Sequence, residues 1–335
     1  MSCLRQAAFP SRVSRGLVIA LVCALVHTLA GPIAAARAED KPALAKVSVL
    51  LDWFINPDHG PLIVAQNLGY FKDAGLEVDL VAPADPNDPP KLVAAGKADI
   101  AVGYQPQLVM QVAQGLPLIR FGTLVATPLN CLVVLKDGPI KSLADLKGRK
   151  VGFSVGGFED ALLGAMLDNA GVKADEVTLV NVNFSLSPAV ISGQVDAVIG
   201  PFRNFELNQM DLAGHPGTAF YPEEHGVPLY DELVFVTNIA LKGDPRLVAF
   251  LDAVERGTHY IVNHPEEAWA LFKAHSPDLD DELNHRAWID TVARFSMTPG
   301  ALDERRYARF AGFLQSRGLI KTVPPLASYA IEPGL

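Results

Sequence analysis

The sequence is poor in cysteine and in positive charge, and each shortage excludes a class of protein. Three cysteines in 335 residues are too few for a disulfide framework. Asp and Glu number 37 against 28 Lys and Arg, which gives a formal net charge of −9. A nucleic-acid partner would need a basic face, so we predict none. Half of the residues are hydrophobic, which is enough for a large folded core.

Two common signatures of enzymes and metalloproteins are also missing. No pair of histidines has the H-E-x-x-H spacing that places two metal ligands on one face of a helix. The glycine-containing turn at 154–160 is not followed by a lysine, so it is not a P-loop. We therefore predict a protein with no catalytic residues, no metal and no cofactor.

Residues 1–38 have the organisation of an export signal. Three arginines precede an apolar run at 17–29, and the small-residue series ends in Ala36-Arg37-Ala38. The apolar run is shorter than the roughly 20 residues that a spanning helix needs. This order of segments predicts cleavage after Ala38 and a periplasmic mature protein. Of the three cysteines, Cys131 alone follows this site, and its apolar neighbours predict that it is buried in a strand.

Short apolar strands alternate with helical segments after residue 38, which predicts βαβ units and mixed, mostly parallel sheets flanked by helices. One unit occurs twice: 96–103 (GKADIAVG) resembles 193–200 (GQVDAVIG). The repetition indicates two similar α/β lobes. We place lobe 1 at 39–134 plus 234–335 and lobe 2 at 135–233.

Several segments resemble a known family. GYFKDAGLEVDL (69–80), LVAAGKADIAVG (92–103) and SLADLKGRKVGF (142–153) resemble type II periplasmic substrate-binding proteins of ABC importers. LDWFINPDHGPLIVAQ (51–66) and VIGPFRNFELNQ (198–209) resemble, more narrowly, the thiamin-pyrimidine (NMT/Thi-type) family. Bacterial members of that family bind formylaminopyrimidine and hydroxymethylpyrimidine. The resemblance implies a two-lobed α/β fold of periplasmic binding protein type II. It also implies a monomer that binds an aminopyrimidine between its lobes and delivers it to an ABC permease.

Polar and aromatic residues that follow predicted strands are the candidates for ligand contact, because ligands of open α/β sheets bind at the carboxyl ends of strands. Trp53 lies in a polar loop, where it can stack on a flat heterocycle or simply pack over the edge of its lobe. The Glu206 carboxylate can pair with a ring nitrogen and an amine, or can begin a surface helix. The other candidates have similar alternatives as caps, turns or helix starts. The predicted ligand-binding residues are Trp53, Asn56, Asp58, His59, Tyr104, Asn130, Phe158, Glu159, Asn183, Asn204 and Glu206.

Two alternatives to an aminopyrimidine-binding protein remain. Fungal members of the family synthesise the thiamin pyrimidine from their own histidine and pyridoxal phosphate, with a lysine that forms a Schiff base. Gly103 and Gln107 occupy the positions of that lysine and histidine, so we predict a binding protein and not an enzyme. The other alternative is a different ligand, such as a sulfonate, nitrate or riboflavin. A sulfonate would favour basic or N–H contacts, which Arg203 and the turn at Ser154 offer.

Overall fold

The computed structural model describes residues 43–334, so the predicted export signal and its cleavage site lie outside the described residues. The strands are β1 (Ala45–Leu50), β2 (Leu76–Val81), β3 (Ile100–Gly103), β4 (Leu118–Val125), β5 (Asn130–Leu135), β6 (Lys150–Phe153), β7 (Thr178–Asn181), β8 (Ala197–Phe202), β9 (Gly217–Phe220) and β10 (Leu233–Asn238). The α-helices are α1 (Gly60–Asn67), α2 (Tyr70–Asp73), α3 (Pro89–Ala94), α4 (Gln105–Ala113), α5 (Glu159–Asn169), α6 (Leu186–Ile191), α7 (Glu206–Leu212), α8 (Pro245–Asn263), α9 (Pro265–Lys273), α10 (Glu282–Thr291) and α11 (Glu304–Ser316).

The strands form two five-stranded sheets, one in each lobe. Their orders are β2-β1-β3-β10-β4 and β7-β6-β8-β5-β9. In each sheet one strand, β10 or β5, runs antiparallel to both of its neighbours, and the other four strands share a direction. The prediction of mixed, mostly parallel sheets flanked by helices in a two-lobed α/β fold is confirmed.

The first crossing between the lobes lies earlier than predicted. Strand β5 pairs with β8 and β9, so it belongs to lobe 2, and the chain crosses at 126–129 instead of after Val134. The return crossing occupies 221–232, because β10 pairs with β3 and β4 of lobe 1. An apolar strand such as 130–135 carries no signal of which sheet it will join, and this is why the sequence placed the boundary too late.

The repeated unit performs the same task in both lobes. Gly96 and Gly193 end a helix with left-handed φ values of 68° and 73°, a conformation that suits glycine. The aspartate that follows ties the next strand to its neighbour: Asp99 accepts from the Ser48 N–H at 2.9 Å, and Asp196 accepts from the Lys150 N–H at 2.8 Å. The resemblance between 96–103 and 193–200 therefore reflects one supersecondary unit used twice.

Both lobes bury apolar side chains, and the main cluster of buried residues is continuous across them. In lobe 1, Phe121, Phe235 and Phe250 meet between the sheet and α8. In lobe 2, Cys131 is fully buried, as predicted, and burial raises the pKa of its thiol far above the ordinary range. Between residues 43 and 334, no helix combines the length and apolar character needed to cross a bilayer.

Candidate functional site

A cavity lies where the carboxyl ends of strands from the two lobes face each other. About 340 Å³ of space lies between its walls, part of it open to solvent. Both lobes contribute side chains. Its lining residues are Asp52, Trp53, Asn56, Asp58 and Tyr104 from lobe 1, and Glu159, Leu186, Gly200, Phe202, Phe205 and Glu206 from lobe 2.

Trp53 forms an aromatic wall at the edge of this cavity. It follows β1, and its ring meets Phe184 of lobe 2 edge to face, with centroids 4.6 Å apart. Phe54, 52% exposed, meets the same Phe184 ring at 4.5 Å. Trp53 therefore lines the cavity and also packs against the opposite lobe.

A hydrogen-bonded group at the end of β1 holds the second aromatic wall, Tyr104. The Tyr104 hydroxyl donates to Asp52 Oδ2 at 3.0 Å, and His59 Nε2 lies 3.0 Å from Asp52 Oδ1. Because the Asn56 N–H donates to His59 Nδ1 at 3.3 Å, the remaining proton of the imidazole lies on Nε2 and points to Asp52. Behind Tyr104, Phe158 stacks at 4.9 Å and 20°. These contacts fix the orientation of the Tyr104 ring.

Asp58 is a buried carboxyl held between the lobes. Its N–H donates to Asn56 Oδ1 at 2.8 Å, and its Oδ1 accepts from Asn204 Nδ2 of lobe 2 at 2.7 Å. Asp58 Oδ2 is buried without a partner among the described residues. Burial raises the pKa of Asp58 to about 6, against the lowering effect of the hydrogen bond from Asn204. One oxygen of this carboxyl therefore remains available to a ligand.

Glu159 and Glu206 present two further buried carboxyls from lobe 2. Each uses Oε2 to accept a backbone N–H: Ser154 donates to Glu159 at 2.7 Å, and Phe202 donates to Glu206 at 2.6 Å. Burial raises the pKa of both to about 8, since a charge in this cavity is poorly solvated. Near neutral pH each can therefore carry a proton, and can donate as well as accept.

Six of the predicted ligand-binding residues line the cavity, and five do not. His59 lies behind Asp52, Phe158 lies behind Tyr104, and Asn204 bridges Asp58 and Thr291. Asn130 is buried at the first crossing, and both polar atoms of its side chain have no partner within the described chain. Asn183 is exposed, with a left-handed φ of 50°.

Five lining residues were not predicted: Asp52, Leu186, Gly200, Phe202 and Phe205. Phe202 and Phe205 lie within the family-like segment 198–209, but an apolar residue beside a strand does not reveal whether it faces the core or a cavity. Asp52 directly precedes Trp53. This position beside a predicted ligand-binding residue is the feature of the sequence that could have identified Asp52 as a lining residue.

Basic groups are absent from the cavity wall: none of its lining residues in the described chain is Lys, Arg or His. Arg203 instead pairs with Glu223 at 2.6 Å and donates from Nε to the Leu129 carbonyl at 3.2 Å. The Ser154 N–H is already used by Glu159. Arg203 and the Ser154 N–H, which the sequence offered as contacts for an anion, therefore already have partners within the protein.

The segment Gly152-Phe153-Ser154-Val155-Gly156 matches the G-x-S-x-G pattern of hydrolases and spans the end of β6 and the turn before α5. Ser154 is nevertheless fully buried, and its hydroxyl donates to the Asn183 carbonyl oxygen. Its backbone also lacks the positive φ of a strained turn. Ser154 therefore has a structural role. Nor does the described part of the chain contain a group of three His, Cys, Asp or Glu side chains that could hold a metal.

The fold is that of periplasmic binding proteins: two α/β lobes with a cavity between them. The periplasmic aliphatic sulphonate binding protein of Escherichia coli superposes with a TM-score of 0.65 at 15% identity, over 86% of this chain and 92% of that chain. At this identity the likeness shows the fold alone.

The family is shown by the sequence comparisons. Residues 56–268 match the model described as "NMT1/THI5 like", and the chain belongs to this family. A Haemophilus influenzae protein whose name assigns it to thiamine biosynthesis is 53% identical over 87% of this chain and 93% of its own length. The formylaminopyrimidine-binding protein of Halalkalibacterium halodurans is 37% identical over 69% of this chain and 71% of its own. The 4-amino-5-hydroxymethyl-2-methylpyrimidine phosphate synthase of Legionella pneumophila is 30% identical over 76% and 81%.

Proposed function

We propose that this protein is a binding protein for an aminopyrimidine precursor of thiamin and that it performs no chemistry on its ligand. One observation carries the proposal: aromatic walls and four carboxyl side chains line a small cavity that has no basic residue among its described lining. Such a wall favours a flat ligand rich in hydrogen-bond donors, neutral or positively charged. The 37% identical formylaminopyrimidine-binding relative supports the same class of ligand.

The carboxyls match the edge of an aminopyrimidine. Glu206 Oε2 accepts from the Phe202 N–H, which leaves Oε1 for a ligand. When Glu206 holds its proton, Oε1 can donate to a ring nitrogen, and the exocyclic amine can donate to the unpartnered Asp58 Oδ2. Trp53 and Tyr104 then supply surfaces for the faces of the ring. Asn56 lies on the same wall, where its amide bonds to the backbone of Phe54 and Asp58.

A synthase mechanism finds little support in these side chains. A Schiff base needs a lysine amine at the cofactor, and no lysine lines the cavity in the described chain. Gly103, at the expected lysine position, lies in the buried strand β3 and supplies no amine. The neighbouring Gln107 supplies an amide where the synthase needs an imidazole.

Other ligand classes fit less well. A sulfonate or nitrate would lie beside the carboxyls of Asp58, Glu159 and Glu206, with no cation among the described lining residues to balance its charge, which costs free energy at a buried site. Riboflavin, with three fused rings and a polyol chain, is much larger than a single heteroaromatic ring, and the small cavity disfavours it.

Delivery to a membrane permease completes the proposal. The export signal predicted at 1–38 and the fold of periplasmic binding proteins support a periplasmic protein that acts as a monomer with an ABC importer. In such a protein the ligand favours the closed arrangement of the lobes, because it contacts both of them.

Retention from a mixture tests the ligand class. The purified protein is incubated with equal concentrations of hydroxymethylpyrimidine, formylaminopyrimidine, ethanesulfonate and nitrate, then gel-filtered, and the retained compound is identified by mass spectrometry. We expect an unmodified aminopyrimidine. Retention of an anion, or of no compound, would contradict the proposal. Addition of pyridoxal phosphate should give no Schiff-base absorbance, and a new band would support the synthase.

A further inference from the structure

Strand β8 contains a bulge at the cavity. Ile199 pairs with Leu132, and Phe202 pairs with Asn130, so Gly200 and Pro201 together face the single residue Cys131. Gly200 has a φ of +118°, which residues with a side chain rarely adopt. A bulge of this kind redirects a strand locally, often beside a functional site. Here it turns the Gly200 backbone toward Glu159.

The missing side chain of Gly200 makes room for the Glu159 carboxyl. A Cβ built on Gly200 would lie 2.6 Å from Glu159 Oε1, 2.7 Å from Oε2 and 2.7 Å from Cδ. All three distances are shorter than real Cβ contacts. Glu159 cannot easily give way, because its Oε2 is held by the Ser154 N–H at 2.7 Å and the side chain is buried. Any residue other than glycine would therefore displace this carboxyl.

We propose that Gly200 is a positioning residue for ligand binding: its bulge and its lack of a side chain hold the Glu159 carboxyl in the cavity wall. The predicted effect on ligand affinity rests on the proposed function. The contact between Gly200 and the Glu159 carboxyl can be tested without a ligand. The other glycines with a left-handed φ give a matched comparison. Gly193 has a φ of +73° and nothing within 4 Å of an added Cβ, so Gly193→Ala introduces backbone strain without a collision.

A double-mutant cycle isolates the contact. Gly200→Ala and Glu159→Ala are made singly and together, and affinity for formylaminopyrimidine and unfolding in urea are measured for each. Backbone strain at residue 200 is present in both backgrounds and cancels. We expect Gly200→Ala to weaken binding about tenfold or more in the natural background, and less than about twofold once Glu159 is alanine. Equal losses in the two backgrounds would overturn the inference, and Gly193→Ala should behave identically in both.

A ligand-free readout separates failure of this inference from failure of the proposed function. The Glu159 carboxyl is titrated by carbon NMR. In Gly200→Ala its midpoint should move from about 8 toward the ordinary value as the carboxyl is pushed toward water. An unchanged midpoint would contradict the positioning role whatever the ligand is. If Gly200→Ala does not fold, recovery of folded protein on adding Glu159→Ala supports the inference, and an equally unfolded double variant contradicts it.

Discussion

At the residue scale, the cavity combines carboxyls that the sequence pointed to with contacts that it could not reveal. Trp53, Glu159 and Glu206 follow strands in polar or turn-rich segments, and that placement was enough to propose them. The role of Asp52 depends on Tyr104 and His59, which reach it only in the folded chain. The role of Gly200 depends on a bulge, and a glycine in a strand pattern does not by itself show what approaches it.

Loss of one wall or one carboxyl should weaken binding without loss of the fold. We expect Trp53→Ala and Glu206→Ala each to reduce affinity for hydroxymethylpyrimidine about tenfold or more, the effect of about 1.4 kcal/mol. Calorimetric titration measures the change. Glu266→Ala, at an exposed site in the first turn of α9, is the control and should bind normally. Unchanged affinity in both cavity variants would refute this placement of the site.

The buried carboxyls also predict how stability depends on pH. Folding raises the pKa of Glu159 and Glu206 from 4.5 to about 8, so the folded protein holds protons that the unfolded chain has released. The stabilisation is complete below about 4.5 and is lost as the pH rises through about 8. The free energy of unfolding of the ligand-free protein, measured in urea, should therefore fall between about pH 5 and 8.

Variants with a neutral glutamine in place of a glutamate test whether Glu159 and Glu206 cause this decrease in the free energy of unfolding. Glu159→Gln or Glu206→Gln removes one titrating group, and each should reduce the fall by at least about 1.4 kcal/mol, the equivalent of one pKa unit. Glu266→Gln serves as the exposed control and should leave the curve unchanged. A curve for either cavity variant that stays parallel to the natural protein would show that the carboxyl is not perturbed as described.

At the scale of elements, the repeated helix, glycine, aspartate and strand unit could be recognised from the sequence because its function is local. The aspartate bonds of β3 and β8 to their neighbours confirm that recognition. The membership of β5 in lobe 2 could not be recognised, because strand pairing is decided by partners distant in the chain. The contact of α7 with α10, through Asp211 and Arg286, likewise joins segments that are distant in the chain.

The Asn204 side chain, just before α7, connects the lobes beside the cavity. Its Nδ2 donates to Asp58 at 2.7 Å and to Thr291, at the end of α10, at 2.6 Å. Two lost hydrogen bonds at about 0.5–1.5 kcal/mol each predict that Asn204→Ala releases a bound aminopyrimidine about tenfold faster in stopped-flow measurements. The matched control is Asn67→Ala, which removes an exposed hydrogen bond to the Leu271 carbonyl within lobe 1. Equal release rates in the two variants would contradict a connecting role for Asn204.

At the scale of the whole molecule, the alternation of strands and helices predicted the two-lobed α/β fold. The segments 51–66 and 198–209 predicted the family to which the chain belongs. What could not be predicted is the shape and charge of the space between the lobes. That space depends on side chains from 52 to 206 being brought together, and on Arg203 being turned toward Glu223 and away from the cavity. The cavity that results is acidic and aromatic, and the choice of ligand class rests on it.

Calorimetric titration of the purified protein with hydroxymethylpyrimidine and formylaminopyrimidine, beside ethanesulfonate and nitrate, tests the central claim most directly. We predict saturable one-to-one binding of at least one aminopyrimidine and no binding of either anion. Saturable binding of an anion with no heat from either pyrimidine would contradict the account.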